Sequence, residues 1–342
     1  MKGFGSDNHS GVHPELLKAI QSCNIDHEPS YGTDQYSKES FKTIHKLISK
    51  DIDIHYVFNG TASNVLSLAA GIKRYQSVLV SDVSHMDHDE CGAPEFFAGK
   101  TIRLPTKNGK IIINEIENYL VRKGDQHFCQ PKMISITQPT ELGTCYSLDE
   151  IQEISKIAKK HELYFHIDGA RLCNALYFLK SDFKQMLLEK HIDIVSLGGT
   201  KNGFLFGEAI LILNPALKND FKYIKKQFAQ LPSKSRFIAH QFQAYFTNQL
   251  YIKIAKHSVD MASYLYAQLL KISLSKPELI LTQPQESNAV FIILPKTIIK
   301  PLREKYFFYV WNEKIFECRL MTSWDTTQFE IDDFIQNLKQ LL

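Results

Sequence analysis

Apolar residues along the chain fall into two patterns. Short, nearly continuous runs occur at 53–58, 77–83 (SVLVSDV), 132–137 (KMISIT), 163–167 (LYFHI), 192–197 (IDIVSL) and 208–213 (EAILIL). Between them, apolar and polar positions mix at helical spacing, from Pro14 to about Cys23, from Gln35 to about Lys50, and after Thr61 to about Lys73. Pro14 suits a first helical turn. Ser147-Leu148-Asp149-Glu150 is an S-x-x-E capping box, which predicts a helix with Ser147 at its N-cap. Short buried strands alternating with helices predict an α/β fold, with a mainly parallel sheet covered on both faces.

The pattern changes near residue 250. A long helical segment at 250–273 leads into a stretch with fewer clear signals, and a helix follows at 328–342. This predicts a large domain over 1–250 and a smaller C-terminal domain over 251–342. No repeat or low-complexity segment interrupts either.

Composition narrows the function classes. The chain has 342 residues, 44% hydrophobic and 23% charged, as expected of a globular protein. A net charge of +3 gives no ground for a nucleic-acid or membrane partner. No run has the apolar length of a membrane span. The first residues, MKGFGSDNHSGVHPE, lack the apolar core of a signal peptide. Six cysteines (Cys23, Cys91, Cys129, Cys145, Cys173 and Cys318) are scattered without a C-x-x-C pair. In a chain this long they read as reduced thiols, and the expected location is cytoplasmic.

In an open parallel sheet, ligands sit beyond the carboxyl ends of the strands. The run at 163–167 delivers Asp168 there, and the run at 192–197 delivers Lys201, set in GGTKNG. The run at 53–58 delivers Asn59-Gly60-Thr61 at a helix start, and 77–83 delivers His85. Each has a plain structural reading: a solvated lysine, a helix-capping aspartate, an ordinary helix start. Yet glycines flank Lys201, and a carboxylate at a buried strand end needs a cationic or N–H partner. A helix N-terminus at Gly60-Thr61 suits a phosphate. Neither GGTKNG nor FNGT is a nucleotide P-loop, since G-x-x-x-x-G-K-[ST] is absent. The cluster HMDHDE at 85–90 looks metal-like, but no Cys or further His completes a zinc site, and no metal is assigned. A lysine, a carboxylate and a phosphate cradle together are what pyridoxal phosphate requires.

With these residues in place, the sequence resembles the L-threonine aldolases. The stretches that carry the likeness are FGSDNHSGVHPE (4–15), YGTD (31–34), FNGTASN (58–64), SHMDHDECGAPE (84–95), QPTELGTCYSLDEI (138–151), HIDGARLCNA (166–175), DIVSLGGTKNG (193–203) and CRLMTSWDTT (318–327). They cover nearly the whole chain, and the forms SDN and GGTKNG resemble the low-specificity threonine and phenylserine aldolase branch.

The resemblance implies fold type I of the pyridoxal-phosphate enzymes, aspartate-aminotransferase-like, with a seven-stranded sheet and a small α+β domain. It implies that the N-terminal segment 1–30 contributes to the site. Lys201, preceded by Thr200, would link to the cofactor aldehyde. Asp168 would pair with the ring nitrogen, His85 would stack on the ring near the substrate hydroxyl, and Gly60 and Thr61 would hold the phosphate. Asn59 stands where many relatives carry serine. Ser6, Arg171 and Arg319 would fix the substrate carboxylate, a task that suits a guanidinium fork. Tyr31 would reach in from a neighbouring subunit, and Lys234 or Arg236, in QLPSKSRF, would meet the phosphate across that interface. A homo-oligomer, dimer or tetramer, is implied.

The implied reaction is retro-aldol cleavage of L-threonine, L-allo-threonine or L-phenylserine to glycine and an aldehyde, with His85 or a water it holds as base. Two alternatives stand beside it. One is another enzyme of the same fold, a β-eliminating lyase or an aminotransferase. The other is a non-catalytic binding protein.

Overall fold

The computed structural model describes residues 3–342. Its large sheet has seven strands: β1 (Asp53–Val57), β2 (Gln76–Ser81), β3 (Lys100–Leu104), β6 (Gln130–Thr137), β7 (Tyr164–Gly169), β8 (Ile194–Leu197) and β9 (Glu208–Ile212). A small hairpin, β4 (Thr106–Lys107) and β5 (Lys110–Ile111), lies outside it. The spatial order is β1-β9-β8-β7-β6-β2-β3. Neighbours from β3 to β8 pair in parallel. β9 runs antiparallel to both β8 and β1, so β1 points the same way as the parallel block.

The strands are apolar because both faces are covered. Alternate residues of β9 go to opposite cores: Ala209 and Leu211 to one, Ile210 and Ile212 to the other. β3 and the hairpin were not read from the sequence. In β3, the run KTIRL is only partly buried, which leaves no continuous apolar signal.

The small sheet, in the order β10-β11-β13-β12, is wholly antiparallel. Its strands are β10 (Ile280–Leu281), β11 (Ala289–Ile293), β12 (Tyr309–Asn312) and β13 (Glu317–Met321). The 24-residue helix Leu250–Ser273 joins the two parts. Its first turns (Tyr251, Ile254, Ala255) belong to the large core, and Ala262, Leu265 and Leu269 belong to the small one. Phe4 also packs in the small core. The N-terminal segment therefore stitches the two parts together: Phe4 exchanges backbone bonds with Phe307 and Met321, and His13 N–H donates to the Gly203 carbonyl.

The capping box forms as read. Ser147 Oγ accepts from Glu150 N–H at 3.1 Å, and Glu150 Oε2 accepts from Ser147 N–H at 2.7 Å, opening the helix Leu148–Lys160.

Candidate active site

Five strands that point the same way bring their carboxyl ends to one edge. β1 leads to Gly60, β2 to His85, β6 to Glu141, β7 ends on Asp168 and Gly169, and β8 leads to Lys201. A cavity of about 650 Å³ opens there, between the large sheet and β12–β13. Ser6, His85, Arg171, Lys201 and Arg319 all line it, although they are scattered over more than 300 residues of sequence.

The turn carrying Lys201 is built by close backbone packing. A Cβ at Gly198 would lie 2.0 Å from the carbonyl oxygen of Ala170, and one at Gly199 would lie 2.3 Å from that of Gly207. Gly203, with φ +88°, closes the turn in the left-handed region. Asn202 Nδ2 donates to the Gly198 and Ala170 carbonyls, pinning the turn to the end of β7. Behind it, Glu208 Oε2 accepts from Gly199 N–H at 2.6 Å. Burial pushes the Glu208 carboxyl up to about 7, against the bonds from Thr200 and Gly199 that pull it down. Thr200 turns away from the cavity, its Oγ1 accepting from Gly207 N–H.

Asp168 is only 4% exposed. Its Oδ2 accepts from Asn64 Nδ2 at 2.9 Å, and its Oδ1 from Ala170 N–H at 3.1 Å. The same Asn64 nitrogen donates to Glu90 Oε1 at 2.9 Å, and Glu90 Oε1 meets His85 Nδ1 at 2.8 Å. A polar chain thus runs His85–Glu90–Asn64–Asp168 beneath the cavity floor. The bond to Glu90 raises the His85 pKa above that of a free imidazole, although burial opposes it. The rest of the HMDHDE cluster disperses: Asp87 pairs with Arg103 at 2.6 Å, and His88 donates to the Asp82 carbonyl.

The two arginines differ. Arg171 Nε and Nη2 bind Asp7 Oδ2 and Oδ1 at 2.5 and 2.9 Å, a buried bidentate pair. Burial alone would raise the Asp7 carboxyl, but Arg171 outweighs it and holds it below its ordinary value. Most of the Arg171 fork is therefore committed to the protein. Arg319 forms no ion pair with a described residue, and its buried Nε has no hydrogen-bond partner among them. Its guanidinium lies 4.6 Å from the Trp311 ring centre and 5.7 Å from that of Tyr309. Burial and the neighbouring Arg171 charge lower its pKa. A buried cation left in this state is complementary to an anion.

The helix Gly60–Gly71 aims its N-terminus at the same edge. Asn59 caps it by accepting from Ala62 N–H at 2.9 Å. The first N–H groups, those of Gly60 and Thr61, have no partner within a helix, and no atom lies within 4 Å of a Cβ built on Gly60. An anion fits here. Three residues stand apart from this chain's cavity. Tyr31 is 52% exposed beneath Lys226, Lys234 is exposed, and Arg236 Nη1 donates to the Ile25 and Asp26 carbonyls.

Asp7, Asn64 and Glu90 escaped the sequence reading as site residues. Each sits inside a quoted motif, SDN, FNGTASN or DECGAPE, so position alone flagged the stretch but not its role. Tyr309 and Trp311 gave no signal at all.

A mixed seven-stranded sheet with a lysine, a held carboxylate and an open helix N-terminus at one edge defines an enzyme of the fold type I pyridoxal-phosphate class. An aspartate aminotransferase from Thermus thermophilus shares that fold, with TM-score 0.70 at 13% identity over 98% of this chain and 89% of that one. The beta-eliminating lyase family profile matches residues 3–296. The low specificity L-threonine aldolase of Pseudomonas aeruginosa is 36% identical over 99% of this chain and 97% of its own length. The solved Leishmania major threonine aldolase superposes with TM-score 0.93 at 31% identity, covering 100% of this chain and 99% of that one. The chain belongs to the threonine aldolase family.

Proposed function

We propose that the protein is a pyridoxal-phosphate lyase that cleaves β-hydroxy-α-amino acids, L-threonine and L-phenylserine among them, to glycine and an aldehyde. The observation that carries the reading is Arg319, a buried guanidinium without an anionic partner among the described residues, lining the same cavity as Lys201. When bound, the cofactor supplies an electron sink for the pair left on Cα.

The chain's own groups do the rest. Lys201 would hold the cofactor aldehyde. Asp168, its oxygens held by Asn64 and Ala170 N–H, would pair with the ring nitrogen. Gly60 and Thr61 N–H groups would receive the phosphate. Arg319 binds the substrate carboxylate with Ser6, and Arg171 contributes Nη1 while Asp7 holds the rest of its fork. That anchoring fixes which bond at Cα can break. His85 would stack on the ring near the hydroxyl. As a base it would need its neutral form, which the bond to Glu90 disfavours.

Tyr31, with Lys234 or Arg236, completes the site from a second copy in a two-fold homo-oligomer, a dimer or tetramer. The free cysteines, and the lack among the described residues of any helix long and apolar enough to cross a membrane, fit a cytoplasmic enzyme.

The test is product analysis with L-threonine and L-phenylserine. Glycine plus aldehyde is expected, and Lys201→Ala should abolish both. Pyruvate plus ammonia, or a keto acid formed only with an amino acceptor, would replace this reading with β-elimination or transamination.

A further inference from the structure

One buried carboxylate lining the cavity has no place in this scheme, while Asp89 at its rim is exposed. Glu141 follows β6, at the sheet edge that carries Asp168 and Lys201. It is 9% exposed, yet it lines the cavity with His85, Arg171, Lys201 and Arg319. The other buried carboxylates of the site are bonded. Asp7 is held by Arg171 and Asn288, Glu90 by His85 and Asn64, and Asp168 by Asn64 and Ala170 N–H. Glu141 has no hydrogen bond or ion pair with any described residue. Its charge nevertheless acts on His85, Arg171 and Arg319.

Glu141 and Arg319 are thus opposite charges on the walls of one cavity, both buried and neither in an ion pair with a described residue; Arg319 makes one long bond, from Nη2 to the Gly5 carbonyl at 3.4 Å, and leaves Nε free. Leaving each alone is costly unless a ligand supplies what is missing. The ligand that fits carries an anion for Arg319 and a hydrogen-bond donor for Glu141, since an ionised carboxylate only accepts. Given the proposed function, on which this inference rests, the substrate brings a carboxylate, an amine and a β-hydroxyl. Arg319 takes the first, and the second goes to the cofactor at Lys201. The hydroxyl is the donor left over. His85 can accept this proton only through Nε2 and only when neutral, and the Glu90 bond at Nδ1 favours the imidazolium, which accepts nothing.

We propose that Glu141 is a catalytic residue that binds the β-hydroxyl and takes its proton as the Cα–Cβ bond breaks. The O–H pair becomes the second bond of the aldehyde carbonyl, and the Cα–Cβ pair stays with Cα. Cα then takes a proton from solvent, and Glu141 returns one, so the sum is glycine and aldehyde.

The test compares the parent holoenzyme with Glu141→Gln, which keeps the size, and Glu141→Ala. Three quantities are measured: aldehyde release from L-threonine and L-phenylserine, exchange of the glycine α-proton in D₂O by NMR, and the equilibrium dissociation constant for glycine. Glycine has no hydroxyl, so its binding and exchange need Lys201 and Arg319 but no hydroxyl acceptor. Aldehyde release should fall by about 100-fold or more in both variants, the usual worth of a positioned base. Glycine binding and exchange should stay near the parent values, which also reports a folded, loaded enzyme. A parallel loss of glycine binding or exchange in both variants would overturn the assignment, as would aldehyde release near the parent rate. A parent enzyme that exchanges glycine but releases no aldehyde would sink the proposed function itself, and that result involves no variant.

Discussion

At the scale of single residues, the site is organised by which charges the protein satisfies and which it leaves open. Arg171 and Arg319 are the same residue type at the same cavity, yet Asp7 pairs with one and no described carboxylate pairs with the other. His85 shows the converse: its ring is held by a buried carboxylate that also reaches Asp168 through Asn64. Glu90→Gln should therefore lower the His85 pKa toward that of a free imidazole, because the largest influence raising it is the Glu90 bond. An NMR titration of the ring checks this, and a midpoint that does not move would remove Glu90 as the cause. The sequence named Lys201, His85, Asp168 and both arginines through motifs. It could not say that Arg171 is largely occupied, because Asp7 lies 164 residues away.

At the scale of elements, the Lys201 turn works because two backbones touch. Ala170 leaves no room for a side chain at position 198, and a carbonyl cannot rotate aside as a side chain can. Gly198→Ala should cost about 1–3 kcal/mol or more. It should also displace Lys201, and a shift near 1 Å costs on the order of 100-fold in kcat/KM. Unfolding and steady-state kinetics read the two effects separately. Ser147→Ala is the contrast. It removes one cap from a helix remote from the cavity, so stability should fall by about 1 kcal/mol with kcat/KM unchanged. The capping box was legible because four adjacent residues contain the whole device. β3 was not, because KTIRL is only partly buried and lacks a continuous apolar run.

At the scale of the whole molecule, the sheet, the N-terminal segment and the small sheet converge on one buried, charge-rich seam. Glu208 lies in it, raised by burial from an ordinary 4.5 to about 7. A carboxylate whose folded pKa lies above its unfolded value binds its proton more tightly when folded. Its contribution to stability is therefore best below about pH 4.5, declines as pH rises to about 7, and stays low above that. Glu208→Gln carries no charge at any pH. Parent stability minus variant stability should decline between pH 5 and 8, by on the order of 3 kcal/mol at most. Urea unfolding at several pH values measures it, and a flat difference would show that Glu208 does not titrate in that range.

By itself the sequence determined the alternation of strand and helix, the strand ends that deliver Asp168 and Lys201, the helix start at Gly60, and the family. These follow from local signals: apolar runs, a cap, glycines around a lysine, and ordered motifs. Only the tertiary structure decided the antiparallel placing of β9, the Asp7–Arg171 pair, the chain from His85 to Asp168, and the unpaired state of Arg319 and Glu141. Each of these depends on which distant segments meet and on what burial does to a charge when they do. A linear pattern shows which groups the chain owns, and the fold sets which of them are left for a substrate.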